Sequence, residues 1–142
     1  KTISLILLLN LIFLLSFYLL DNNRNLFYLI IVMSFINDTI AFLVGKTFKG
    51  PLIIPSISPK KTWSGTISSF LVSLFLLLLY DFNLFFSILV SLSFFIGDVF
   101  FSYFKRIKKI KDFSNLLYEH GGLLDRFDSI FFPILFLSIY VN

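Results

Sequence analysis

LFFSILVSLSFFIGDVFFSYF, residues 84–104, runs directly into KRIKKIK, residues 105–111. The first string carries one charged side chain, Asp98, in an otherwise apolar and hydroxyl-bearing run. A helix needs about 20 such residues to cross the roughly 30 Å hydrocarbon core of a bilayer. The cations that follow are the anchor such a span takes on its cytoplasmic side. This stretch therefore reads as a membrane-spanning helix, and the remainder of the chain is organised around it. Further on, Glu119-His120-Gly121-Gly122-Leu123-Leu124-Asp125-Arg126-Phe127-Asp128 opens another apolar run, so that Ser102 to Asp128 hold most of the chain's polar chemistry. Ionisable groups near or inside spans cost about 2.5–3.5 kcal/mol each on insertion scales and are functional candidates by default. The stretch reads as an active site at a membrane surface.

Composition agrees. Of 142 residues, 58% are hydrophobic and 21 are Phe, with a mean hydropathy of +0.94, against about 45–50% apolar residues in a soluble domain. Cysteine is absent, which excludes disulfides, thiolate metal sites and thiol nucleophiles; any metal must be held by oxygen or by His120. The formal charge of +4 comes from basic residues that flank apolar spans, so anionic lipid headgroups and phosphates are the expected partners, not nucleic acid. Lys1 leads straight into an apolar run with no initiating Met and no small-residue cleavage site, which reads either as a fragment or as a processed chain.

Five segments approach spanning length, at about 3–20, 26–44, 64–80, 84–104 and 124–141. Asp21-Asn22-Asn23-Arg24-Asn25 and Tyr80-Asp81-Phe82-Asn83 are polar turns, and 45–63 reads as a loop broken by Gly45, Gly50, Pro51, Pro55 and Pro59. Lys1, Lys46, Lys49, Lys60, Lys61, Lys105, Arg106, Lys108, Lys109, Lys111 and Arg126 fall on one side and Arg24 alone on the other. The basic side is cytoplasmic by the positive-inside rule, with the N-terminus in and the C-terminus out. The expected fold is all-α: a polytopic integral membrane protein, one transmembrane domain over 1–142 with no internal repeat and no soluble domain, in the cell inner membrane with its polar site facing the cytoplasm.

The candidate groups converge on that leaflet. Asp125 and Asp128, three residues apart, share a helix face, and Asp98 lies at similar depth on the preceding antiparallel span. Such oxygens suit Mg²⁺, which is held by one or two carboxylates together with phosphates and water. Asp125 and Asp128 equally suit the positive N-terminal end of a helix; Asp98, within a span, has no such ordinary role. His120-Gly121-Gly122 precedes the same helix and reads either as a phosphate-approaching turn or as a plain loop-to-helix connection. Lys105 and Arg106 abut the hydrocarbon below Asp98 and are placed for phosphate, whereas Lys108 and Lys109 read as topological anchors. Ser58-Pro59-Lys60-Lys61-Thr62-Trp63-Ser64-Gly65 combines cations, hydroxyls and an interfacial Trp; it is either a surface anchor or a phosphate site.

Taken together, these residues resemble the phosphatidate cytidylyltransferases, or CDP-diacylglycerol synthases. Ser102, Lys105-Arg106, Lys111-Asp112, His120-Gly121-Gly122 and Asp125-Arg126-Phe127-Asp128 stand at the spacing of that family's signature. The likeness extends to Gly97-Asp98, to the Ser58–Gly65 segment, and to Asp38 through Gly45-Lys46, covering about residues 37–130. The resemblance implies an integral membrane enzyme that condenses CTP with phosphatidic acid, releases pyrophosphate and leaves CDP-diacylglycerol for phospholipid synthesis. It also implies Mg²⁺ and a homodimer. By the same resemblance, Asp98, Asp125 and Asp128 would organise metal, and Lys105 and Arg106 would hold phosphate groups. Ser58, Lys61, Thr62 and Arg126 would contact substrate, His120-Gly121-Gly122 would shape the nucleotide pocket, and Asp38 would support it. Phe101 stands where many members have an acid, and Tyr118-Glu119 where they often have Pro-Gly. Competing readings are a CTP-dependent kinase of a polyprenol or similar lipid, and a non-catalytic membrane scaffold or transporter.

Overall fold

A computed structural model describes residues 11, 13–19, 21–107 and 124–141, the side chains of 59, 124–128 and 141 excepted. The chain is mostly helical. A helical segment over 13–19 is followed by α1 (Arg24–Phe48), β1 (Leu52–Ile54), β2 (Ser58–Thr62), α2 (Trp63–Leu79), α3 (Leu84–Ile107) and α4 (Leu124–Val141). At 1.5 Å per residue, α1 and α3 are each about 36 Å long, enough to cross a bilayer core of about 30 Å. These two have the length and apolar character of membrane spans, while α2 and the Ser129–Tyr140 part of α4 are apolar but shorter.

Local chemistry sets the ends. The backbone at Lys49 turns left-handed, at φ 46°, and its N–H bonds the Gly45 carbonyl, which stops α1. Thr62 is extended and accepts from the Gly65 N–H at 3.3 Å, starting α2. Asn83 Oδ1 accepts from the Phe85 N–H at 3.2 Å at the start of α3. α1 to α4 coincide in sequence with the second to fifth apolar segments, with two differences, and most of the first segment, 3–20, lies outside the described residues. Gly45 does not break α1, which continues to Phe48, and the segment read as a loop contains a short antiparallel hairpin within the mostly helical chain. In the hairpin Leu52 faces Thr62 and Ile54 faces Ser58 with a register irregularity between them, and the Trp63 N–H bonds the Pro51 carbonyl at 3.0 Å.

α1 packs on α2, and α4 on α3 and α1. Leu29, Ile30, Met33, Leu77, Val90, Phe94, Ile130, Ile134 and Leu137 form the core. Large apolar side chains also cover the outside: Val32, Phe35 and Phe42 on α1, Leu71 and Phe75 on α2, Phe85, Leu92 and Ile96 on α3. Among the described residues the buried polar groups are Ser34, Asn37, Ser73, Ser87, Ser91, Ser93, Ser129 and Ser138. Apolar faces outward with small hydroxyl-bearing residues between helices is the packing a hydrocarbon solvent favours, because lipid gives no reason to bury Phe or Leu. Phe101, at the position of a family acid, is 3% exposed and meets Phe131 edge to face, joining α3 to α4.

Candidate active site

A cavity of about 260 Å³ opens where α1, α2, α3, α4 and the end of β2 meet. Close backbone approach forms it. Gly65, at the start of α2, lies against the Ala41 carbonyl of α1, so that a Cβ would collide with that oxygen. A Cβ on Gly45 would come within 2.7 Å of Thr62 Oγ1. Only glycine lets the β2–α2 junction sit this close to α1, and the junction carries Lys60, Lys61 and Thr62 into the cavity wall.

The charged part of the wall is Asp38 of α1, Lys60 and Lys61 of β2, and Asp98 of α3. Lys61 Nζ lies 2.8 Å from Asp98 Oδ2, with the two side chains 28% and 30% exposed. A pair so placed holds a cation and a carboxylate at the cavity, each still reachable from outside. The rest of the wall is neutral: Asn37, Thr66, Ser69, Ser91 and Ser129, with the rings of Phe42, Phe70, Phe94 and Phe95. Ser34 and Ser129 share a buried hydrogen bond of 2.8 Å between α1 and α4.

Asp38, the Lys61-Thr62 pair and Asp98, far apart in sequence, are thus brought to one cavity. Ser58 is not in its wall; it borders a smaller recess with Lys61. Lys105 and Arg106 occupy the last turn of α3, away from the cavity wall, and Arg106 donates its Nε–H to the Ile57 carbonyl at 2.9 Å. Arg106 therefore ties α3 to the hairpin turn. Asp125, Arg126 and Asp128 fall in the opening turns of α4, their side chains outside the described residues, as are His120, Gly121, Gly122, Tyr118 and Glu119 altogether. Among the described residues no three His, Cys, Asp or Glu side chains cluster to hold a metal; Asp38 and Asp98 are the carboxylates on the cavity wall.

Sequence reasoning assigned no role to Asn37, Ser69, Ser91 or Ser129, all on the wall. A signal exists for the first and third. Ser34, Asn37, Ala41 and Gly45 recur at helical spacing, as do Ser91 and Asp98, marking one polar or small stripe on α1 and another on α3.

The profile of the Cytidylyltransferase family matches residues 1–142. The chain is 39% identical over 135 residues to the phosphatidate cytidylyltransferase of Rickettsia conorii, covering 84% of this chain and 59% of that one. Against the enzyme of that name from Aquifex aeolicus it is 40% identical over 121 residues, covering 78% and 46%. Against that from Staphylococcus saprophyticus it is 36% identical over 118 residues, covering 76% and 45%. The chain therefore spans about three fifths or less of the length of these relatives. No solved structure matches it. With the family profile matching residues 1–142 of this chain, and relatives of 36–40% identity beside it, the chain belongs to the cytidylyltransferase family.

Proposed function

We propose that this protein transfers a cytidylyl group from CTP to phosphatidic acid, giving CDP-diacylglycerol and pyrophosphate for phospholipid synthesis. The observation that carries the reading is the Lys61–Asp98 pair on the wall of a cavity enclosed by helices with apolar outer faces. Such a site meets a membrane lipid and a soluble anion at one place. A phosphate oxygen of the lipid attacks the α-phosphorus of CTP, a new P–O bond forms, and the bond to the β-phosphate bridging oxygen breaks, releasing pyrophosphate. Both reactants are anions, so positioning and charge neutralisation dominate the barrier.

Lys61 supplies a cation that exchanges Asp98 for an incoming phosphate, and Lys60 adds a second at the same wall. Asp98, with Asp125 and Asp128 from the start of α4, would hold Mg²⁺; oxygen donors of this kind fit a hard divalent cation that keeps part of its water and phosphate shell. Bound there, the metal would neutralise developing phosphate charge. Thr62, Ser58 and Arg126 would contact substrate, Lys105 and Arg106 would face phosphate at the membrane surface, and His120-Gly121-Gly122 with Asp38 would border the nucleotide. The one-sided distribution of Lys and Arg supports five spans with this site at the cytoplasmic face of the membrane; the inner membrane and a homodimer are what the family resemblance implies.

The test is pyrophosphate release by purified, detergent-solubilised protein given CTP, phosphatidic acid and Mg²⁺, with Asp125→Asn and no-lipid controls. Release that requires both lipid and Asp125 is expected; release of CDP instead would assign a lipid kinase.

A further inference from the structure

A two-stranded hairpin is marginal by itself and keeps its shape only when packed against another element. The hairpin of β1 and β2 is short, its register is irregular between Leu52 and Ile54, and it carries Lys60, Lys61 and Thr62 to the cavity wall. Whatever holds it in one place decides where those side chains stand.

Two contacts with α3 hold it. The Ile57 N–H closes the turn on the Ile54 carbonyl at 3.1 Å, and the Ile57 carbonyl accepts from Arg106 Nε at 2.9 Å. Beside the turn, Ile53, Ile54 and Ile57 meet Phe95 and Val99 of α3 around a recess of about 10 Å³. A gap of that size holds one water at most, so the hairpin lies on α3 with almost no space between them. Phe95, Val99 and Arg106 follow one another at four and seven residues, the spacing of a single helix face. That face of α3 is the seat of the hairpin.

Lys61 belongs to both sides of this joint. It borders the recess as well as the cavity, and its Nζ lies 2.8 Å from Asp98 Oδ2. Asp98 directly precedes Val99, so one turn of α3 supplies both the carboxylate and part of the seat. A lysine has a flexible four-carbon stem, and on a loose strand its ammonium would sample many positions. With its strand seated on α3 and its tip on Asp98, Lys61 meets an incoming phosphate already placed, which is what a reaction between two anions needs from its cations.

We propose that Val99 and Arg106 are positioning residues for Lys61: they seat the hairpin on α3 and so fix the Lys61 ammonium at the cavity. Arg106 does this through Nε, one of the five N–H donors of a guanidinium, which leaves its terminal nitrogens for phosphate. Val99 offers a substrate no polar group, so its effect passes through packing alone. The inference rests on the cytidylyltransferase reading and deepens it by naming the apolar joint that aims one of the charged groups.

The experiment reads Lys61 in two ways. Acetylation of the purified protein in detergent, followed by mass spectrometry, gives the labelling rate of each lysine, and pyrophosphate release from CTP and phosphatidic acid gives turnover. Val99→Ala and Arg106→Met should each raise the labelling rate of Lys61 at least threefold, while Lys46 and Lys49, at the end of α1, label as in the wild type. Val99→Ala should lower kcat/KM at least threefold by itself but less than twofold in a Lys61→Met background, because its effect runs through Lys61. If Val99→Ala does not fold, Ile57→Ala trims the same joint from the hairpin side and takes its place. Unchanged Lys61 labelling in both variants would overturn the inference. An equal loss of turnover in the two backgrounds would also overturn it and assign Val99 to general stability. A wild type without turnover would overturn the cytidylyltransferase reading, and the labelling would still decide the seat.

Discussion

Gly65→Ala tests the packing on which the site depends. The added methyl is directed at the Ala41 carbonyl oxygen of α1, closer than any real Cβ contact, with the carbonyl carbon at 3.2 Å and Thr62 Oγ1 at 3.3 Å. Backbone in the middle of a packed helix does not swing aside like the end of a flexible side chain, so α1 and α2 must separate. Overpacking of this kind costs about 1–3 kcal/mol, offset by up to about 1 kcal/mol from the better helix propensity of Ala. The net loss is about 1–2 kcal/mol, or roughly 3–8 °C in Tm for a chain of this size. The larger effect falls on the site. Thr62 caps α2 through the Gly65 N–H and adjoins Lys61, so the same separation draws Lys61 away from Asp98. A misplacement near 1 Å at a reacting centre costs about 10²-fold, and kcat/KM should fall by that order. Thermal unfolding and turnover in one detergent, compared with Gly50→Ala, check both numbers. At Gly50 the contacts are milder, the Ser64 hydroxyl at 3.0 Å and its Cβ and backbone nitrogen at 3.2 Å, so a smaller loss is expected there. A Gly65→Ala protein with wild-type Tm and turnover would refute the close approach of α1 and α2.

Lys61→Met and Asp98→Asn should each lower turnover by about 10²-fold or more, as loss of a group that stabilises transition-state charge does. The double variant should be far from additive because the two are in contact at 2.8 Å; full additivity in a double-mutant cycle would argue against a shared role. Arg106→Met should speed hydrogen exchange at the hairpin, including the Trp63 amide, by freeing the Ile57 carbonyl. If Arg106 acts by holding phosphate alone, the hairpin amides will exchange as in the wild type while the KM for CTP rises. Ser34→Ala or Ser129→Ala should destabilise by about 0.5–1.5 kcal/mol, the net worth of the hydrogen bond the two share. The double variant should cost less than the sum of the two, and thermal unfolding of all three proteins reads the difference.

The helices were legible because the physics that makes them is local. Apolar runs of spanning length, the Asn22-Asn23 and Asp81–Asn83 turns and the Thr62 cap all lie within a few residues of the boundaries they set. The hairpin was not. Its strands are short, one carries Pro and two lysines, and neither shows the alternation that marks a half-buried strand; pairing across the turn and the bond from Arg106 hold it. Gly45 misled for a related reason, since a glycine demanded by a neighbouring Thr62 looks in sequence like a glycine that ends a helix. At the site, Asp38, Lys61 and Asp98 stood out because charge in an apolar chain is costly. Asn37 stood beside Asp38 among the polar groups at the basic end of its span but was given no role, and Ser91 did not stand out. Serines in apolar helices ordinarily bond their own backbone, as Ser73, Ser87, Ser93 and Ser138 do, and Ser91 differs only through what surrounds it.

The central claim is tested most directly by following two labels in parallel, CTP carrying ³²P at the α-phosphate and CTP carrying it at the γ-phosphate, each incubated with the protein, phosphatidic acid and Mg²⁺ and then extracted into organic solvent. The account predicts that α-label enters the lipid phase, that γ-label leaves as pyrophosphate, and that Asp98→Asn abolishes both. Label from the γ-phosphate in the lipid, or none from either with a folded protein that binds CTP, would contradict it.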